Sequence, residues 1–163
     1  MVDIIAQAKH IYIVGFRSSS FLAGYLNFYF RLIYDNVTQV QGGVAGTFDQ
    51  LFRVGPGDVV IAICFPRYSE LALKAVQYAK DRGATIIGVT DSEMSPVYQM
   101  SSGSLLVRNE MISFVDSLAA PMSMLNALIL AAAHKQGTDI SATFNELEHV
   151  WDRFGIFGKV EDE

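Results

Sequence analysis

Short apolar runs alternate along the chain with stretches whose apolar positions recur every three or four residues. The runs HIYIVG (His10–Gly15), NVTQVQG (Asn36–Gly42), DVVIAIC (Asp58–Cys64), ATIIGVT (Ala84–Thr90) and GSLLVRN (Gly103–Asn109) are rich in β-branched residues and predict strands. Between them Ser18–Tyr34, Val44–Phe52 and Ser69–Arg82 have helical spacing. The clearest case is SELALKAVQYAKDRG, where Leu71, Ala75, Tyr78 and Ala79 share one face and Gly83 supplies a stop. GPGD (Gly55–Asp58) is a turn leading into a strand, and a short helix is expected after Ser95 and Pro96. The strands are apolar throughout rather than alternating in polarity, which predicts a parallel sheet covered on both faces. After the fifth strand two helices follow, at about Val115–Lys135 and Ile140–Arg153, and the tail KVEDE reads as frayed.

Composition narrows the picture. The chain has 163 residues, 51% hydrophobic and 18% charged, which fits one domain with a real core and argues against disorder. A formal charge of −5 is the wrong sign for gripping a nucleic-acid backbone. The single cysteine, Cys64, excludes an internal disulfide and fits a reducing, cytoplasmic compartment. With one cysteine and three scattered histidines no metal-ligand spacing arises, so no metal is expected. The most apolar stretch, Ser117–Ala133, is shorter than the roughly 20 residues that span a bilayer and is interrupted by Pro121, Ser123 and Asn126. It predicts a buried helix and no membrane span. Leu118, Met122, Leu125, Ile129 and Ala133 form one stripe on it; Ala120, Met124, Leu128 and Ala132 form another. A sheet covers one side only, so the side left over predicts a homodimer, with a tetramer as the larger alternative.

In open parallel sheets, ligands sit beyond the carboxyl ends of the strands. The unusual residues of this chain fall there: GFRSSS after the first strand, GG after the second, FPRYS after the third and TDSEMS after the fourth. Arg17, Ser18, Ser19 and Ser20 stand at a helix start, where unpaired N–H groups attract anions and an arginine is otherwise disfavoured. One serine is explained as an N-cap; the arginine is not. Arg67, Tyr68 and Ser69 repeat the logic at the third strand, and two arginines on neighbouring loops point to a shared anion. Thr90 and Asp91 read equally as a turn and cap or as ligand contacts. Asp116 and Ser117, ahead of the long helix, read as a cap first and as ligand contacts second. His134 suits a helix C-terminus, and His149 with Glu146 and Glu148 reads as a solvated helix surface, an acid–base group being the alternative. Cys64 reads as a small core residue. Neither a Gly-x-Gly-x-x-Gly turn nor a lysine-bearing phosphate loop is present; no cofactor is expected, and no residue is singled out as catalytic.

From Ile11 to about Lys135 the chain resembles a sugar isomerase (SIS) domain, and more narrowly the C-terminal effector domain of RpiR/MurR-type bacterial transcription regulators. The resemblance is carried by YIVGFRSSSFLAGYL, PGDVVIAICFPRYSELALKAVQYAKDRGATIIGVTDSEMSP and FVDSLAAPMSMLNALI. It implies a flavodoxin-like three-layer α/β sandwich of about five parallel strands with helices on both faces, dimerisation, and a phosphosugar held at the serine-rich loops after the first and third strands. It also implies a single SIS domain over 1–163, with its core at about 10–135 and a C-terminal helix at about 138–155. One departure stands out. The family's third-strand loop is Ser-x-Ser-Gly-x-Thr, and the matching positions here are Cys64, Phe65, Pro66, Arg67, Tyr68 and Ser69. An arginine replaces the glycine that lets backbone approach a phosphate closely, so a guanidinium fork stands in for part of the backbone cradle. Such a fork serves a carboxylate as well as a phosphate.

The expected function is therefore a regulator's sensing domain for a sugar phosphate or related anionic carbohydrate. Arg17, Ser18, Ser19, Ser20, Arg67, Tyr68, Ser69, Thr90, Asp91 and Ser117 are the expected contacts. The regulators of this group carry a helix-turn-helix domain, which the residues before His10 do not accommodate. The chain then reads as an excised effector domain or part of a longer protein, with DNA reached only through that domain. The alternative is a stand-alone phosphosugar isomerase, whose base would have to come from Glu146, Glu148 or His149.

Overall fold

The computed structural model describes residues 1–109, 111–112, 115–137 and 140–157, so the tail KVEDE lies outside them. Five apolar runs become strands: β1 (Ile11–Val14), β2 (Val37–Val40), β3 (Val59–Ile63), β4 (Thr85–Thr90) and β5 (Gly103–Leu106). All pair in parallel, in the order β2-β1-β3-β4-β5. Every residue of β1 and β3 is buried, whereas β2 and β5 are half-covered edges. Central position explains why the first and third runs are apolar without alternation.

Residues on alternate sides of each strand feed two separate cores. Ile11, Ile13, Ile61, Ile63, Ile87 and Val89 face α2 (Ser19–Phe30) and α6 (Ala119–Gln136). Tyr12, Val14, Val60, Ala62, Cys64 and Ile86 face the other layer. That layer contains α3 (Val44–Leu51), α4 (Glu70–Asp81) and α5 (Pro96–Met100). The result is a three-layer α/β sandwich, as the strand pattern predicts. Gly83 ends α4 in the left-handed region, at φ 88°. Helix α2 ends earlier than its apolar spacing suggests. Leu32 and Ile33 bond to the carbonyls three residues back, so its last turn tightens and stops.

Three features differ from the sequence expectations. First, α1 (Val2–Ala6) packs on α6, placing Ile5 in the core, and Asp3 meets Lys135 at 2.5 Å. Leu128 and Ala132, on the second of the two stripes, are buried within the chain itself. What stays exposed on α6 is a narrower strip including Ala127, Leu130 and Ala131. Second, two short strands, β6 (Met111–Ile112) and β7 (Val115–Asp116), pair antiparallel where the long helix was expected to begin. Third, α6 therefore starts at Ala119 with Leu118 as its N-cap and no side-chain cap, so neither Asp116 nor Ser117 caps it. Helix α7 (Ile140–Phe154) is the last element among the described residues. No helix among the described residues is long and apolar enough to cross a membrane.

Candidate ligand-binding site

Strand order reverses at β1: the chain leaves it toward β2 on one side and lies against β3 on the other. The loops after β1 and β3 therefore meet at the switch point, where open sheets bind ligands. Gly15 makes the first loop possible. A Cβ there would lie 2.7 Å from the Ser19 carbonyl oxygen and 3.0 Å from the Ala23 Cβ, so α2 approaches the strand end only over a glycine. Arg17 follows at φ 57°. In the second loop Arg67 adopts φ 64°. These two arginines are the only non-glycine residues at positive φ among the described residues. A side chain in that region costs about 1–2 kcal/mol relative to its ordinary conformations. Two neighbouring loops thus hold the same residue type in the same strained conformation, a pattern that points to function.

A small cavity of about 30 Å³ lies between the loops. Arg17, Ser18 and Ser19 line it from the first, Arg67 and Ser69 from the second, and Asp116 from β7. The N-termini of α2 and α4 open at the same place, adding partial positive charge. Ser18 has helical backbone angles and makes no cap bond; its hydroxyl donates to Asp116 Oδ2 at 2.8 Å. Ser20 turns back to donate to the Arg17 carbonyl at 2.6 Å. Ser69 does cap its helix, accepting from the Ala72 N–H at 3.4 Å. Arg67 Nη2 lies 3.4 Å from Asp116 Oδ1, and Arg17 has no ion pair among the described residues. Two guanidinium groups against one carboxylate leave the lining with an excess positive charge.

Tyr68, Thr90 and Asp91 form a second network with Ser95 and do not line the cavity. Tyr68 donates to Asp91 Oδ1 at 2.8 Å, and Thr90 Oγ1 lies 2.7 Å from Ser95 Oγ and 3.2 Å from Asp91 Oδ1. Thr90 and Ser95 are fully buried. Ser95 Oγ accepts from the Val97 N–H and caps α5, which gives this loop a structural role the sequence left undivided. Burial first, then the bond and charge of Asp91, raise the Tyr68 phenol above its usual range. Ser117 is half-buried and does not line the cavity; its neighbour Asp116 does. The signal for Asp116 was present in the sequence as a carboxylate to match two unexplained cations, and it was outweighed by the expectation of a helix cap. Cys64 is buried, and burial pushes its thiol up, away from a reactive thiolate. Glu146, Glu148 and His149 are exposed on α7, outside the cavity.

The sheet order, the switch-point crevice and the serine- and arginine-bearing loops define a sugar isomerase type of α/β domain. The SIS domain model matches residues 4–131, and the chain belongs to that family. Among curated proteins no match is found. Several solved structures share the fold. The sugar isomerase domain of an RpiR transcription factor from Sphaerobacter thermophilus superposes with a TM-score of 0.84 at 22% identity, covering 91% of this chain and 83% of that one. The Vibrio vulnificus NanR protein complexed with ManNAc-6P gives 0.78 at 16% identity, covering 97% of this chain and 60% of that one. A Methanococcus jannaschii protein, for which a 3-hexulose-6-phosphate isomerase function was inferred, gives 0.57 at 15% identity, covering 90% and 75%.

Proposed function

We propose that this chain is the effector-sensing SIS domain of a bacterial transcription regulator, binding a sugar phosphate or related anionic carbohydrate without chemical turnover. The observation that carries the reading is the pair of left-handed arginines, Arg17 and Arg67, at the ends of adjacent strands. Serine hydroxyls and two helix N-termini surround them. An isolated cation is unfavourable there, and an anion turns the arrangement into complementarity. Arg17, Ser18, Ser19, Arg67 and Ser69 hold the anionic group. Ser20, Tyr68, Thr90, Asp91 and Ser117 support the loops or meet the sugar. The likeness to regulator domains, one of them complexed with ManNAc-6P, favours sensing.

The domain is a single cytoplasmic unit over 1–163 that works as a homodimer, with DNA contacted by a helix-turn-helix domain outside this chain. Ligand shifts the population of two arrangements of the pair and so the spacing of the attached DNA-binding domains. A phosphosugar isomerase is the second reading, favoured by the likeness to the Methanococcus jannaschii structure. Its base would come from Glu146, Glu148 or His149, none of which lines the cavity. Calorimetry against a panel of sugar phosphates that includes ManNAc-6P, run beside an aldose–ketose interconversion assay, tests both. Saturable binding without interconversion is expected. Interconversion abolished by Glu146→Gln, Glu148→Gln or His149→Ala gives the isomerase reading, and a panel that never binds removes the anion site.

A further inference from the structure

The described structure already contains an anionic group in the cavity, and it belongs to the protein. Asp116 takes the Ser18 hydroxyl at one oxygen, at 2.8 Å, and faces the Arg67 guanidinium with the other, at 3.4 Å. These donors come from the first and second loops, the two that an external anion would bridge. We propose that Asp116 is an internal counter-ion that competes with the ligand for this position. Binding is then an exchange, in which Arg67 and Ser18 release Asp116 and take the ligand's anionic oxygens. The proposal rests on the anion site proposed above and adds a residue that sets its affinity.

Three observations support exchange over a purely structural ion pair. The Arg67–Asp116 contact is loose: a good guanidinium–carboxylate fork makes two parallel bonds near 2.7–2.9 Å, whereas a single one is present here at 3.4 Å. The Arg67 side chain is 65% exposed and that of Asp116 21%, so water reaches the pair and its bond is cheap to break. Asp116 is the one carboxylate among the described residues that line the cavity, so it occupies part of the wall that an external anion would contact. The Ser18 donor and the Arg67 charge are thus released by one movement, that of the Asp116 side chain. Asp116 ends β7, and α6 begins three residues later at Ala119.

On this proposal the counter-ion sets a threshold that any anion entering the pocket has to overcome. Small inorganic anions must overcome the resident carboxylate with phosphate contacts alone. A sugar derivative adds hydroxyl contacts elsewhere in the crevice. Asp116 in this view filters by total binding energy, and its loss removes the filter.

Asp116→Asn tests this directly, because the amide oxygen still accepts from Ser18 while the negative charge is gone. Calorimetric titration with inorganic phosphate, at matched ionic strength, should show the variant binding tighter than wild type by roughly threefold to thirtyfold, from the lost ion pair plus relieved repulsion. A sugar phosphate that binds wild type should gain similarly. Equal or weaker phosphate binding in Asp116→Asn, with phosphate still bound by wild type, overturns the exchange and leaves the anion site standing. If phosphate binds neither protein and no sugar phosphate binds either, the site itself fails. A second measurement does not depend on the variant folding: the Asp116 carboxyl carbon followed by NMR in the wild-type chain during phosphate addition. It should move from its paired position to that of a solvated carboxylate, with a midpoint equal to the calorimetric one. A carbon that stays still while phosphate saturates refutes the proposal.

Discussion

Arg67 offers a test in which stability and binding separate. Its backbone sits at φ 64°, in the region glycine occupies freely, and its side chain is 65% exposed with one 3.4 Å contact to Asp116. Arg67→Ala keeps the backbone strain, because alanine also has a Cβ, and loses an exposed ion pair worth at most about 1 kcal/mol. Arg67→Gly loses the same pair but relieves about 1–2 kcal/mol of left-handed strain. Against that relief stands about 0.4–1 kcal/mol from the greater freedom of glycine in the unfolded chain. The glycine variant should then be more stable than the alanine variant by about 1 kcal/mol, or about 2–4 °C in Tm for a chain of this size. Urea unfolding and calorimetric scanning measure it. Ligand binding should not distinguish them: each loses one guanidinium bond of about 1.5–3 kcal/mol, so affinity falls roughly tenfold to more than a hundredfold in both. Equal stability of the two variants refutes the strain argument. Wild-type affinity in both, with the fold intact, makes Arg67 structural and misplaces the site.

Gly15→Ala should destabilise the chain by about 1–3 kcal/mol, since its Cβ meets backbone oxygen at 2.7 Å and the α2 N-terminus must shift; the urea midpoint reads this, and an unchanged midpoint refutes the close-approach argument. The phenols of Tyr12, Tyr34 and Tyr68 are all raised, burial being the first cause in each. The folded state holds these protons more tightly than the unfolded chain, so their contribution is complete below about pH 10 and is lost as pH rises through the folded values. Phenolate absorbance should therefore show tyrosines titrating above about pH 10, with stability falling over the same range; uniform titration at the free value contradicts it. The proposed dimer should be a discrete species in sedimentation at micromolar concentration. Phe21 and Phe28 on α2 and Leu130 on α6 are 72%, 57% and 69% exposed, and a Tyr25–Asn126 hydrogen bond brings their stripes side by side. Leu130→Asp should release monomers, and a wild-type monomer removes the dimer.

The opposition within the site is chemical rather than topological. Both loops present cations where the helix field already favours anions, and among the described residues lining the cavity only one carboxylate answers them. Arg17 keeps its guanidinium unpaired among the described residues, so an incoming anion meets one free fork and one that Asp116 holds loosely. In the proposed exchange, that asymmetry would make Arg17 the first contact and Arg67 the one whose capture requires release of Asp116.

Sheet, layers and crevice were legible in the chain because they rest on short-range patterns. Continuous β-branched runs specify buried parallel strands, a three-to-four residue spacing specifies the flanking helices, and Gly83 marks the end of α4 where a left-handed residue is required. Arg17 and Arg67 could be picked out because a cation before a helix start is a local anomaly. Their meeting could not be read locally: they are 50 positions apart, and only the pairing of β1 with β3 sets their loops side by side. The same holds for Asp116. Local preference made it a helix cap, but the β6–β7 pairing moved the helix start to Ala119 and left the carboxylate free to reach Ser18 and Arg67. Thr90 looked available at a strand end, yet the packing of α5 on β4 buries it against Ser95. The first residues, to which the pattern of the chain assigned no element, become part of the core because Ile5 finds the face of α6. Periodicity records which side of an element avoids water, whereas the identity of what covers it is a contact between distant segments, and that is fixed only when the whole chain packs.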